Sequence, residues 1–345
     1  MSRVTPQLPL LLVVGQSGHG VVQYGADVAA ALIADGAARV EVAPDSTAGR
    51  AVVERGRSVH VHVTDRILGD SPEAAAAVIE QWAALCRLTI TVHDVPQPSD
   101  GTMFARRAAA YHRMASAAEA TALNSAHEQD LWREHIGTAS LPAVIPLGSR
   151  IGRAPGTDAA ASVADLVVLL AGFVYPGKGH RPAITAAAAA AADLRAGGGD
   201  VGRVVVRAIG APSRGHESDV DALRADAEAL GVEFEVTGFL GDDAFAQALR
   251  APGIPLAAHE HVSASRSMLD WVEVGRRPLV VESRYAREMA ELRPGTLHLY
   301  DPAALPAALA DAWRTPSGTW QEAGTPLAPT LSDAAAAYAA WWQAS

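Results

Sequence analysis

Four stretches of this chain collect residue types that can bind or transfer a charged group. Ser263–Val281, SASRSMLDWVEVGRRPLVV, begins as a loop of small hydroxylated residues with one Arg, then leads to Gly275, Pro278 and an apolar strand. A helix opening at such a loop aims unpaired backbone N–H groups and the positive end of its dipole forward, which suits a diphosphate. Ser263, Ser265, Arg266 and Ser267 occupy that opening, and Asp270 lies deeper, where a carboxylate can accept hydrogen bonds from ribose hydroxyls. An ordinary connection with a capping Ser reads this stretch equally well.

The second stretch is LLAGFVYPGKGH, Leu169 to His180, in which a loop rich in Gly and Pro presents Lys178 after a buried strand. Lys is scarce in this Arg-rich chain, and a lysine so placed can neutralise a diphosphate that gains charge as a bond to it breaks. A solvated loop lysine is the plainer alternative. The third is His93-Asp94, directly after the strand LTITV, which aims an imidazole off a strand end with Asp94 available to fix its tautomer. His60 and His62 alternate inside a strand and carry a weaker version of that reading. The fourth is GQSGHGVVQYG, Gly15 to Gly25, which has neither the G-x-G-x-x-G spacing nor the Lys-Ser/Thr ending of a P-loop. Gly18 and Gly20 still permit close backbone approach, and His19 and Gln23 add polar groups where packing would prefer apolar ones.

These residues need elements to hold them. Apolar runs at Leu8–Val14, Arg39–Ala43, Ser58–Val63, Leu88–Val92 and Thr121–Asn124 predict strands, with helices over Val21–Ala34, Ala74–Leu85, Met103–Ala117 and His127–Glu134, before Leu141–Ile145 leads into Pro146-Leu147-Gly148. The alternation restarts with strands Leu166–Leu170, Arg203–Ile209, Glu233–Thr237, Pro255–Ala258, Leu279–Val281 and Thr296–Leu299. Helices Ala183–Ala196, Ser218–Ala229, Asp242–Arg250 and Ala286–Leu292 lie between them. Strands alternating with helical runs imply right-handed βαβ units and parallel sheets. Residues 149–163 lose the periodicity and gather Gly, Pro, Ser and Asp, as an interdomain linker would. The expected organisation is a first domain over 1–150, a linker over 151–162, a second domain over 163–325, and a terminal helix within 326–345. That helix carries Tyr338, Trp341 and Trp342 and should pack back on the body.

At 345 residues the chain is long enough for two domains, and its apolar content is aliphatic, with 5% aromatics. That suits helices covering parallel sheets. A net charge of −10 argues against nucleic-acid or anionic-membrane binding, both of which need a basic face. The one cysteine, Cys86, reads as a buried thiol in a helix. The N-terminal apolar run is too short for a membrane span and lacks a cleavage site, so a soluble cytoplasmic protein is expected.

Six segments, VHDVPQP, NSAHEQDLW, VIPLGS, AGFVYPGKG, VEFEVTGFLGDDAF and SMLDWVEVGRRPLVV, occur in the order seen in GT-B glycosyltransferases. Over roughly residues 8–300 the chain resembles the retaining enzymes of family 4. The resemblance implies an α/β fold of two Rossmann-like doubly wound domains facing a cleft. The front domain would take a saccharide or other hydroxyl acceptor and the rear one a nucleotide sugar as co-substrate, with no cofactor. His93 would contact the transferred sugar, Lys178 the diphosphate and Asp270 the ribose, while amides around Ser265 cradle phosphate. Gly238–Asp243, including Phe239 and Leu240, would border the base, and Gly18, His19 and Gly20 would lie near the diphosphate and acceptor.

Two departures stand out. The family's Arg after the strand-end Gly is Phe173 here, and the first of its two glutamates is Val262, with Asp270 in the second place. Glu260 and His261 are nearby, and Arg266 is the candidate to replace the missing guanidinium. The implied reaction is hexose transfer with retention, in which a phosphate oxygen takes the acceptor proton. No D-x-D flanked by an apolar strand is present, so metal independence is expected. Resemblance to actinobacterial mannosyltransferases makes GDP-mannose the first expected donor, with UDP-glucose the alternative. The rival readings are an epimerase or phosphorylase on the same architecture, a two-lobed binding protein, and a glycosyltransferase-like scaffold without activity.

Overall fold

The computed structural model describes residues 8–16, 18–34, 39–137, 139–155, 164–259 and 263–344. The chain forms two compact units, one comprising Met1–Arg150 with Pro329–Ser345 and the other Ile151–Ala328. Residues 156–162 of the expected linker lie outside the described residues.

The first unit runs β1 (Leu10–Val14), α1 (Gly20–Ala34), β2 (Val40–Ala43), α2 (Ser46–Val53), β3 (Ser58–Val63) and α3 (Asp65–Leu68). It continues with α4 (Pro72–Ala83), β4 (Arg87–Val92), α5 (Phe104–Ala117), β5 (Ala120–Leu123), α6 (Ala126–His135) and β6 (Ala143–Val144). The second runs β7 (Leu166–Ala171), α7 (His180–Ala196), β8 (Val204–Ile209), α8 (Glu217–Ala229), β9 (Glu233–Val236), α9 (Asp242–Arg250) and β10 (Ile254–Ala257). Then come α10 (Arg266–Glu273), β11 (Leu279–Val281), α11 (Arg284–Leu292), β12 (His298–Tyr300) and α12 (Leu305–Arg314). The terminal helix α13 (Leu331–Ala344) belongs to the first unit.

Each unit holds a six-stranded sheet, in the orders β2-β1-β3-β4-β5-β6 and β12-β11-β10-β7-β8-β9. Every pairing is parallel. Parallel sheets are covered on both faces, which explains why strands such as Leu10–Val14 are apolar throughout rather than alternating. The strand order reverses direction between β1 and β3 in the first unit and between β7 and β10 in the second. At such a point the loops leaving the strand ends diverge, and a crevice opens. Gly15, Lys178 and Ser263–Ser267 follow β1, β7 and β10, the strands at these two points.

On β3, Val59, Val61 and Val63 join the main apolar core. His60 and His62 take the other face, against Tyr24 of α1 and Tyr338 of α13. Tyr338 is fully buried and accepts a 3.0 Å hydrogen bond from Thr91, so the terminal helix is anchored by an aromatic ring and a hydroxyl.

Several details differ from the sequence expectations. Cys86 lies in the bend between α4 and β4, half-buried, its thiol donating to the Trp82 carbonyl. Burial pushes that thiol up to about 11. The last strand is His298–Tyr300 rather than Thr296–Leu299, because Thr296 turns back to donate to the Arg293 carbonyl. Helices α2 and α12 were not expected. The first is short and capped by Asp45, and the second hides its boundary behind Pro302 and Pro306.

Candidate functional site

In the second unit, β7 ends at Ala171, and the loop Gly172–Gly179 carries Lys178 to the start of α7. Gly179 caps that helix in the left-handed region (φ +93°), and a Cβ there would fall 2.2 Å from the Ala258 carbonyl oxygen. Only glycine allows β7 and β10 to bring their loops this close. Lys178 is the only lysine in the chain, and it is 5% exposed rather than a solvated loop residue. Its Nζ lies 2.6 Å from His259 Nε2 and 3.0 Å from Ser267 Oγ. Among the described residues it has no carboxylate ion-pair partner. Burial pulls its pKa down to about 7, against the opposing charge of Asp270. Burial, then Lys178 and His180, also push His259 well below the usual imidazole range, so its ring is neutral.

Helix α10 opens at Ser265, whose Oγ accepts from the Met268 amide at 3.2 Å and lies 3.3 Å from Ser267 Oγ. Tyr285 fixes the approach by accepting from the Ser265 amide. Ser263 is buried just before it. Arg266 is tied down: its Nε is 3.1 Å from Asp270 Oδ1, and it also pairs with Glu273. Any ribose at Asp270 would therefore share the carboxylate with Arg266. Lys178, Ser265, Ser267 and Asp270 are thus brought together around one strand reversal.

Leu240, in the loop after β9, packs on the apolar cluster that includes Trp271 of α10, while Phe239 beside it is 77% exposed. Phe173 is also exposed, and Glu260, His261 and Val262 lie outside the described residues. His259 was missed from the sequence. It sits directly after a strand, AAHE, the same signal that singled out His93.

In the first unit, His93 leaves β4 and is 5% exposed. Its tautomer is not set by Asp94. Instead His93 Nε2 lies 3.0 Å from His62 Nδ1, two strands packed side by side bringing their rings together. Asp94 turns away at φ +57°, the only non-glycine in the left-handed region among the described residues. There Arg107 holds both its carboxylate (2.8 Å) and its carbonyl (3.0 Å). Arg107 also bonds Asp65 and Asp100, and Tyr111 donates to the His93 carbonyl. Burial opposes the Arg107 charge, but Tyr111 and the Asp94 and Asp65 carboxylates outweigh it and keep the guanidinium protonated. Burial, followed by the neighbouring His62 and His19, holds His93 well below the usual imidazole range.

His19 opens α1, with Nδ1 accepting from the Val21 amide at 3.3 Å, and Gly18 and Gly20 face open space. A cavity of about 400 Å³ is lined by Asp65, Arg66, Asp70, Ser99, Asp100 and Arg107. Among the described residues no three His, Cys, Asp or Glu side chains assemble as a metal site requires, and no helix is long and apolar enough to cross a membrane.

No known family profile matches the sequence, and no curated protein does. Solved structures do match the fold. Anabaena Alr3699/HepE, in complex with UDP and glucose, is 16% identical with a TM-score of 0.68, over 97% of each chain. Sucrose-phosphate synthase from Thermosynechococcus elongatus is 14% identical with a TM-score of 0.68, over 96% of this chain and 94% of that one. The UDP-forming α,α-trehalose-phosphate synthase of Burkholderia xenovorans, in complex with glucose-6-phosphate, is 13% identical with a TM-score of 0.59, over 83% and 72%. At these identities the likeness establishes the fold, two Rossmann-like domains of the GT-B type.

Proposed function

We propose that this chain is a nucleotide-sugar-dependent glycosyltransferase that moves a hexose to a hydroxyl acceptor with retention. The observation that carries the reading is Lys178: a sole lysine, buried at a strand reversal against the Ser267 hydroxyl and a neutral imidazole, is a cation held ready for an anion. A sugar diphosphate supplies that anion, and its charge grows as the glycosidic bond breaks. Lys178 takes the diphosphate, the amides opening α10 take a second phosphate edge, and Asp270 with Arg266 orients the ribose. Phe239 and Leu240 border the base, and Ser263 supports the loop. His93 contacts the sugar, with Gly18, His19 and Gly20 beside it. A phosphate oxygen receives the acceptor proton, so no protein nucleophile and no resident metal are required.

A UDP-hexose is the favoured donor, because HepE and the trehalose-phosphate synthase are described with UDP or as UDP-forming. GDP-mannose, the donor first expected, has no comparable support. Incubation with UDP-glucose or GDP-mannose and a panel of neutral sugars should release UDP from the former. Absence of nucleotide release with both donors would reject the catalytic reading. It would favour a second, non-catalytic one, motivated by Phe173 and by an Arg266 already occupied with Asp270 and Glu273. In that case UDP-glucose binds without turnover.

A further inference from the structure

A charged lysine has three N–H donors and no acceptor. Among the described residues two partners receive those of Lys178, His259 Nε2 at 2.6 Å and Ser267 Oγ at 3.0 Å. Because an ammonium can only donate, Nε2 accepts, which puts the ring proton of His259 on Nδ1. Among the described residues the third N–H has no partner. Gly172 flanks the ammonium: a Cβ there would lie 3.1 Å from Nζ, so this side stays clear because residue 172 has no side chain.

The fold brings the pair together. His259 follows β10, which lies parallel beside β7 with Leu256 opposite Leu170, and Lys178 lies in the loop that follows β7. Burial works against the Lys178 charge, and Asp270 of α10, itself paired with Arg266, supports it. Burial, then Lys178 and His180 of α7, keep His259 neutral. Tyr285 of α11 lines a small hollow with His259 and Ser265. A hydrogen-bond acceptor at the charged form favours that form. A carboxylate in the place of His259 would do so too, but it would cancel the charge a ligand has to meet. A neutral imidazole supports the ammonium and leaves its charge intact.

We propose that His259 is the positioning residue for Lys178: its imidazole takes one ammonium N–H, keeping the side chain charged and aimed, with the remaining N–H left for the diphosphate of the nucleotide sugar. The identity of that ligand rests on the glycosyl-transfer reading; the contact between the two side chains does not.

Two measurements on the full chain test it. With 13Cε-lysine incorporated and no nucleotide added, His259→Phe should lower the titration midpoint of Lys178 by about one pH unit. His259→Gln, which keeps an acceptor, should restore most of it, and His259→Ala carries the test if His259→Phe does not fold. In calorimetry with UDP, the loss of affinity in His259→Phe should be about tenfold at pH 8 and within about twofold at pH 5.5, where Lys178 is charged in both proteins. A merely structural role would weaken UDP equally at both pH values. That result overturns the proposal, as does an unmoved lysine midpoint or a glutamine variant no better than phenylalanine. If the unaltered chain binds no UDP at either pH, the glycosyl-transfer reading falls and takes the proposal with it; the other contrary results leave that reading standing.

Discussion

Arg107 in the first unit and Lys178 in the second are cations of nearly equal burial, 4% and 5% exposed, in opposite company. Arg107 is surrounded by the carboxylates of Asp65, Asp94 and Asp100 at 2.7–3.1 Å. Lys178 meets an imidazole and a hydroxyl, both neutral. A buried cation inside a ring of carboxylates is committed to the fold, since its charge is already matched. One beside neutral acceptors stays available for a ligand's charge, and burial lowers its pKa. Burial alone therefore does not separate structural from functional charges; the charge of the neighbours does.

The comparison breaks most visibly at Arg107. Arg107→Met leaves Asp65 buried without its partner and should cost the first unit about 3–5 kcal/mol in urea unfolding. A loss below about 1 kcal/mol would remove the contrast. Lys178→Met should behave in the opposite way: stability unchanged or raised, because an ill-solvated amine gives way to an apolar chain, but UDP affinity lower by about 2–3 kcal/mol in calorimetry. A destabilised Lys178→Met that still binds UDP normally would reverse the assignment. The smallest effect belongs to Ser265→Ala. Losing the cap on the Met268 amide should cost about 1 kcal/mol of stability, read as a lower urea midpoint, with a modest loss of UDP affinity.

Much of this organisation is legible in the sequence because parallel sheets write themselves as apolar runs. Leu166–Leu170, Arg203–Ile209 and Leu88–Val92 were placed to within a residue or two. Lys178 stood out through its rarity and its glycines. The partners of these residues were harder to see. Asp94 next to His93 suggested a carboxylate–imidazole pair, but a positive φ turns Asp94 to an arginine on α5, and His93 meets His62 across the β3–β4 pairing. Likewise His259 reaches Lys178 only because β10 lies beside β7, although the two residues are 81 positions apart in the chain. Local sequence shows which groups leave a strand end; strand order decides whom they meet.

The uncompensated state of Lys178 can be measured directly, since the chain has a single lysine side chain to observe. With 13Cε-lysine incorporated, one resonance should titrate near pH 7 in the free protein. Below that pH the ammonium is present and UDP binds best; above it the amine is neutral and affinity falls. Adding UDP should move the midpoint upward, because a diphosphate favours the charged form. A resonance that titrates near the ordinary lysine value, and does not move with UDP, would contradict the account.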